Sequence, residues 1–170
     1  IEGFVYMAMN AFYQATISFT SQNFGAKKKD RINKILFAGQ VYVVATGLIL
    51  GSLAVFFGKE LLGIYSASPE VIAAGMVRLQ YICKVYFLCG IMDVFVGALR
   101  GIGYSIMPMI VSLLGACGLR LLWLATVFQI PQYHTQDIIY LSYPITWVIT
   151  FTVHALCYIW ARKQVEKRLV

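Results

Sequence analysis

Long apolar runs alternate with short polar connections along the whole chain. A bilayer core needs about 20 apolar residues per helix, and backbone groups in lipid must be paired within helices or closed barrels. The runs are continuous rather than alternating residue by residue, which favours helices over strands. The sequence therefore predicts five transmembrane helices, at Phe4–Phe24, Ile35–Phe57, Leu79–Leu99, Ile106–Phe128 and Ile138–Trp160.

Composition supports a membrane location. Of the 170 residues, 60% are hydrophobic and 12% are charged, whereas a soluble domain carries about 25% charged residues. We therefore predict an all-α, polytopic bundle of helices whose main contact is the lipid bilayer.

The net charge of +7 would suit a nucleic-acid partner, but the positions of the basic residues argue against one. Most Lys and Arg residues follow the first, third or fifth predicted helix: Lys27, Lys28, Lys29, Arg31, Lys34, Arg100, Arg162, Lys163, Lys167 and Arg168. The positive-inside rule then places these connections and the C-terminus in the cytoplasm, with the N-terminus outside. We expect a multi-pass protein of the plasma (inner) membrane.

Four ionisable residues fall inside the predicted helices, where charge is costly and indicates function: Lys84, Asp93, Arg120 and His154. Asp93 is the candidate for ion coupling, because a carboxylate in a low dielectric can exchange a proton or bind Na⁺. The alternative is a structural pairing with His154 or Arg120. Asp93 and His154 would lie at one depth, each about 10 Å from the cytoplasmic end of its helix.

Lys84 and Arg120 are also predicted to share a depth, about 22–24 Å from the cytoplasmic side. Two like charges at one depth need an anion, and Glu2 and Asp137 are the carboxylates near the outer face. Alternatively, Arg120 ties helices together, and Lys84 extends toward the outer interface.

The first predicted helix carries a polar stripe at every fourth position: Glu2, Tyr6, Asn10, Gln14, Ser18 and Gln22. Residues four apart are neighbours on a helix, and lipid would penalise such a stripe. Two interpretations stay open. The stripe lines a polar cavity, with Tyr6, Asn10, Gln14 and Ser18 facing it, or it forms hydrogen bonds between helices.

Other short patterns predict structure rather than chemistry. Gly47 and Gly51, four apart, favour close helix packing, and Ser68-Pro69 favours a helix start that runs into the third span. Neither HExxH, GxSxG nor a Walker sequence occurs, and the two histidines are not at metal-ligand spacing. We therefore expect no enzyme, no metal site and no cofactor.

Four segments, in order, resemble the multidrug and toxic compound extrusion (MATE) family of transporters. Ser18–Lys28 resembles the family's Q-N-x-G-A-x-K segment, and Met92-Asp93 leads into a second similar stretch. The similar segments are 18–28, 92–108, 115–123 and 142–147. The resemblance extends over essentially the whole chain, and these four segments carry it in order.

The resemblance implies a fold of twelve helices in two six-helix lobes, of which this chain would be the last five. The N-terminal lobe and one helix would then be missing. It also implies secondary active efflux, in which small cationic, amphiphilic drugs leave in exchange for Na⁺ or H⁺. Asp93 would serve coupling, and Tyr6, Asn10 and Gln14 would line the cavity between the lobes.

Two other functions are kept as alternatives. Lys84 and Arg120 would suit an exporter or flippase of anionic lipid-linked or polysaccharide precursors. A non-transport membrane scaffold would instead bury the face of Asn10 and Gln14 in dry contacts between helices.

Overall fold

Helices and turns make up the chain. The computed structural model describes residues 1–168, and within them it contains no strand, so the all-α prediction is confirmed. The α-helices are α1 (Glu2–Gly25), α2 (Lys29–Phe56), α3 (Gly58–Gly63), α4 (Pro69–Ile82), α5 (Phe87–Gly101), α6 (Ile106–Ser112), α7 (Leu119–Ala125) and α8 (Gln136–Arg168).

Helical structure lies at each of the five predicted segments. Among the described residues, three helical stretches are long and apolar enough to cross a membrane: Lys29–Phe56, Ile106–Gln129 and Gln136–Lys167. The pair α4 and α5 makes a fourth if the two count as one bent span. The 24-residue α1 is not among them, since the polar stripe lowers its apolarity. A membrane crossing by α1 therefore stays a prediction.

The third span is not the unbroken helix predicted at Leu79–Leu99. A 3₁₀ turn at Cys83–Val85 separates α4 from α5, and the two axes differ by 43°. Neither proline nor glycine occurs in this turn, so the local sequence does not mark the break. The backbone carbonyl of Cys83 instead rests against Gly51 of α2. A contact with a distant helix therefore accompanies the bend.

Glycines bring α1, α2 and α5 close together. A Cβ atom on Gly47 would lie 2.8 Å from Cβ of Phe87, and one on Gly97 would lie 2.9 Å from the carbonyl oxygen of Tyr13. The close packing predicted for Gly47 and Gly51 is confirmed. Met9 contacts the site of Gly90, and Thr20 that of Gly101. Residue numbers therefore rise together along α1 and α5 at these contacts, so the two helices run parallel.

The basic connections gather at one end of the bundle, called here the basic end. Arg162 Nε donates to Asn33 Oδ1 at 3.1 Å, and Arg162 Nη2 donates to the carbonyl oxygen of Lys29 at 3.3 Å. Tyr158 Oη donates to the same Asn33 oxygen at 2.8 Å. These bonds fix the C-terminal part of α8 to the first two turns of α2. That the basic end is cytoplasmic stays a prediction.

Candidate functional site

Asp93 lies half-buried on α5, facing α1. Its Oδ2 atom is buried and accepts no hydrogen bond from the described part of the chain. The Tyr6 hydroxyl of α1 is the polar neighbour of this carboxylate. Asn10 Nδ2 donates to Tyr6 Oη at 3.4 Å, which leaves the Tyr6 hydroxyl proton free to point at Asp93. The site is therefore a carboxylate next to Tyr6, which in turn is hydrogen-bonded to Asn10; both residues belong to the polar stripe.

An aromatic cluster adjoins this carboxylate, consisting of Tyr6, Tyr86, Tyr143 and Trp147. The Trp147 ring packs edge-to-face against the rings of Tyr86 and Tyr143, with centroid distances of 5.4 and 5.7 Å. Tyr6 packs against the same buried group of side chains. Aromatic faces attract organic cations through their ring quadrupoles. The face of Tyr143 is already occupied by Arg120. The carboxylate with Tyr6 beside it, and with Tyr86 and Trp147 in the same cluster, suits a cation with apolar groups.

Arg120 is not the partner of Asp93, so that predicted pairing is wrong. Its guanidinium carbon lies 3.8 Å from the centroid of the Tyr143 ring, and its Nη2 donates to Thr146 Oγ1 at 3.3 Å. Both contacts join α7 to α8. The charge of Arg120 is thus partly balanced by an aromatic face rather than by a carboxylate.

His154 does not pair with Asp93 either, although both were predicted at one depth. It is fully buried on α8. Its Nε2 lies 3.0 Å from Ser112 Oγ on α6, and its Nδ1 has no hydrogen-bond partner among the described residues. Equal depth fixes position along the membrane normal but not the direction in which each side chain points.

Of the two carboxylates predicted to balance Lys84, Glu2 is not its partner. Lys84 lies exposed in the turn between α4 and α5. Glu2 instead pairs with Arg78, whose Nε and Nη2 donate to the two carboxylate oxygens at 2.7 and 3.0 Å. Lys84 therefore does not use Glu2, and its exposure agrees with a side chain that extends out of the bundle.

The second half of the polar stripe of α1 is left uncovered by the described part of the chain. Its outer members Glu2, Tyr6 and Asn10 are half-buried, and Gln14, Ser18 and Gln22 are exposed. Apart from the interactions of Glu2 with Arg78 and of Tyr6 with Asp93, the hydrogen bonds made within the stripe stay inside α1. Elsewhere on α1, Val5, Met9, Thr16 and Thr20 are buried.

Sequence reasoning missed a second contact between α1 and α5. Arg100 Nη1 donates to Tyr13 Oη, and the guanidinium lies 5.8 Å from the centroid of the same ring. Arg100 was interpreted only as a basic residue of the third connection. The signal was present in the spacing: Tyr13 follows Tyr6 by seven residues, and Arg100 follows Asp93 by seven. Seven residues are two turns, so each pair shares a helix face.

A model of the MatE family matches residues 1–126, most of the chain and all of α1 to α7. The chain belongs to the MatE family. MatE proteins are multi-pass membrane transporters rather than enzymes. No curated protein and no solved structure matches the chain. Asp93, Tyr6, Arg100 and Arg120 lie within the matched residues, whereas His154 lies beyond them.

Within residues 1–168, no group of three or more His, Cys, Asp or Glu side chains is placed to hold a metal ion. A monovalent cation at Asp93 would have to complete its coordination with hydroxyl and carbonyl oxygens. The Tyr6 hydroxyl is of that kind.

Proposed function

We propose that this chain forms part of the C-terminal lobe of a secondary active antiporter. The antiporter exports cationic, amphiphilic compounds in exchange for Na⁺ or H⁺, across the plasma membrane, with the basic end in the cytoplasm. The chain would contribute the last five of twelve helices. Membership of the MatE family supports transport in general, and the surroundings of Asp93 support the choice of a cation.

The observation that carries this proposal is the buried Oδ2 of Asp93, which accepts no hydrogen bond within residues 1–168 and lies near Tyr6 of the aromatic cluster. An isolated carboxylate in a low dielectric is costly, so a proton or a cation is needed to neutralise it. Aromatic rings add affinity for organic cations but little for inorganic ones that keep their water. One site can therefore accept a drug cation, or alternatively the coupling ion.

The polar stripe supports a cavity on the same side. Asn10 is half-buried and Gln14 and Ser18 are exposed, which favours a face that borders a cavity over the dry contacts between helices that a scaffold would make. The alternative substrate class, anionic lipid-linked or polysaccharide precursors, depended on Lys84 and Arg120. Arg120 lies against Tyr143 and Thr146 of α8, whereas Asp93 is the charged residue that contacts Tyr6 of the polar stripe.

The test is ethidium efflux from cells that express the transporter containing this chain, with Na⁺ and pH varied separately. Asp93→Asn should abolish coupled efflux while expression is kept, because the amide is nearly isosteric but cannot carry the charge. Asp137→Asn is the matched control, since Asp137 is exposed in the first turn of α8. It should leave efflux unchanged.

Efflux that persists in the Asp93→Asn variant at the wild-type rate would show that Asp93 is structural or peripheral. Absence of ethidium efflux from the unsubstituted transporter, despite good membrane expression, would shift the proposal to lipid-linked precursors. The ion whose gradient changes the rate identifies the coupling ion.

A further inference from the structure

We propose that the basic end of the bundle carries a binding site for one anionic phospholipid, between the start of α6 and the end of α8. Lysines of α8 hold the phosphate, and a groove along α6 holds an acyl chain. This inference goes beyond the proposed function and does not depend on what the protein transports.

An apolar groove begins at the basic end and follows the first turns of α6. Its volume of about 630 Å³ lies within the range of sites for small molecules. Ile106 and Ile110, one turn apart, are exposed along it. A hydrocarbon chain in this groove therefore runs from the basic end toward the middle of the bundle. The residues that form the groove include Tyr104, Ser105, Ile106, Met107, Ile110 and Val111.

Lysines lie on one face of α8 at the same end. Lys163 and Lys167 follow Trp160 by three and seven residues, so all three side chains point within about 60° of one another. They line a second depression, beside Gln164 and Glu166. Both lysines are exposed, and neither is paired with a carboxylate among the described side chains. Their charge is thus available to an anion.

The acidic residue of this depression is already neutralised. Arg162 Nη2 lies 3.4 Å from Glu166 Oε1, one turn away on α8. Lys29 Nζ donates to the backbone carbonyl oxygen of Glu166 at 3.4 Å, which brings a third lysine to the end of α8. The depression is therefore positive overall, and basic pockets between membrane helices suit anionic lipid headgroups.

An aromatic pair joins the groove to the lysines. The rings of Tyr104 and Trp160 pack edge-to-face with centroids 5.7 Å apart. Because Tyr104 lines the groove and Trp160 lines the depression, the two parts meet at this pair. Tyr and Trp are enriched at the level of lipid headgroups.

The order of these parts matches an anionic phospholipid. Going from the basic end toward the middle of the bundle, the site is cationic, then aromatic, then apolar, as a lipid is anionic at its phosphate and apolar at its chains. A zwitterionic lipid would use the groove but gain less from the lysines. A free phosphate would use the lysines and leave the groove empty.

The test is fluorescence quenching of Trp160 in nanodiscs that hold the purified transporter containing this chain. Phosphatidylglycerol or phosphatidylcholine with brominated acyl chains is added in increasing fractions, and the signal of Trp160 is the difference from Trp160→Phe. We expect half-maximal quenching at about a tenfold lower fraction of phosphatidylglycerol, since each lysine near an anionic headgroup contributes about fivefold.

Two lysine variants locate the headgroup. Lys163→Gln combined with Lys167→Gln should remove most of the preference for phosphatidylglycerol. Lys27→Gln combined with Lys28→Gln is the matched control, because these exposed residues lie at the same end but outside both depressions. The control removes the same charge and should keep the preference.

Two variants of α6 locate the acyl chain. Ile110→Phe narrows the groove and should weaken quenching by brominated phosphatidylglycerol severalfold. Met109→Phe is the matched control, because Met109 is exposed on the same helix but is not part of the groove. It should leave quenching unchanged.

Three results would overturn the proposal. Equal quenching by the two lipids in the unsubstituted transporter would show that the site does not select an anion. Equal losses in the two lysine pairs would show that the charge of the whole basic end attracts lipid. A loss in the Lys163 and Lys167 variant with no effect of Ile110→Phe would show that no acyl chain lies along α6. None of these results bears on ethidium efflux, so the proposed function is tested separately.

Discussion

Asp93 and His154 are two buried titratable residues with different surroundings. Asp93 Oδ2 lacks a hydrogen-bond partner within the described chain and faces the uncovered polar stripe. His154 is fully buried and bonded to Ser112. A residue with access to a polar face can exchange a cation, whereas one enclosed between helices holds them together. We infer that Asp93 serves transport and His154 serves stability.

Ser112→Ala tests the role of His154. The change leaves both ring nitrogens of a buried imidazole without a hydrogen bond, which should lower stability by about 1 kcal/mol. The measurement is the thermal unfolding midpoint of the purified transporter in detergent, with ethidium efflux assayed in parallel. We expect a lower midpoint with efflux retained at temperatures below it.

Thr152→Val is the control for Ser112→Ala, because Thr152 is exposed and its hydroxyl donates only to the carbonyl of Val148 in its own helix. Its midpoint should stay close to that of the unsubstituted protein. Loss of efflux in Ser112→Ala at an unchanged midpoint would assign His154 to the transport mechanism instead.

The sequence identifies Asp93 as a candidate but not its neighbours. Hydropathy and depth depend on residue order alone, so they show that a charge lies inside the membrane. Which helix an individual side chain faces depends on the rotation of each helix about its axis. That rotation is set by contacts such as Gly97 on Tyr13. For this reason the pairings with Arg120 and His154 were wrong, and the interaction of Arg100 with Tyr13 was not predicted.

Among the helices, the bend between α4 and α5 packs against a single glycine of α2, Gly51. The Cys83 carbonyl occupies the space where a side chain at position 51 would begin. Glycine at interfaces of membrane helices allows such close backbone approach. The small-residue spacing of Gly47 and Gly51 therefore predicts where helices meet, but it does not predict that one of them is broken there.

Gly51→Ala should destabilise the transporter. Its Cβ would collide with the backbone carbonyl of Cys83, which cannot move without shifting the turn between α4 and α5, and overpacking of this kind costs about 1–3 kcal/mol. The thermal unfolding midpoint in detergent should fall clearly.

Gly3→Ala is the matched control, because Gly3 lies within α1 and no neighbouring atom of residues 1–168 comes within 4 Å of the point where its Cβ would sit. Alanine is the better helix former, so the midpoint there should stay or rise slightly. An unchanged midpoint in Gly51→Ala would show that the contact with Cys83 is loose and does not support the bend.

At the scale of the whole molecule, the pattern of apolar runs is enough to predict an all-α membrane protein. The basic residues after alternate runs predict that these connections share an end, and the bonds of Arg162 to Asn33 and Lys29 agree with that. The pattern is less informative for α1, because its polar stripe weakens the signal of a membrane span. A polar face is what a helix beside a water-filled cavity requires.

Transport itself depends on more than this chain. Alternating access is commonly a motion of one repeat against another around a shared site, and α1 carries the polar face that would border such a site. Under the proposed function, exchange of a drug cation for an ion would be a property of the assembled transporter, and both cations would compete for Asp93.

The most direct measurement is therefore exchange in proteoliposomes that contain the complete transporter and, separately, its Asp93→Asn variant. A Na⁺ or pH gradient is imposed, and ethidium movement is followed by fluorescence. We predict that one of the two gradients drives ethidium in the direction opposite to the flow of that ion, and that Asp93→Asn abolishes this coupling. Ethidium movement that ignores both gradients, or that persists unchanged in the variant, would contradict cation exchange at Asp93.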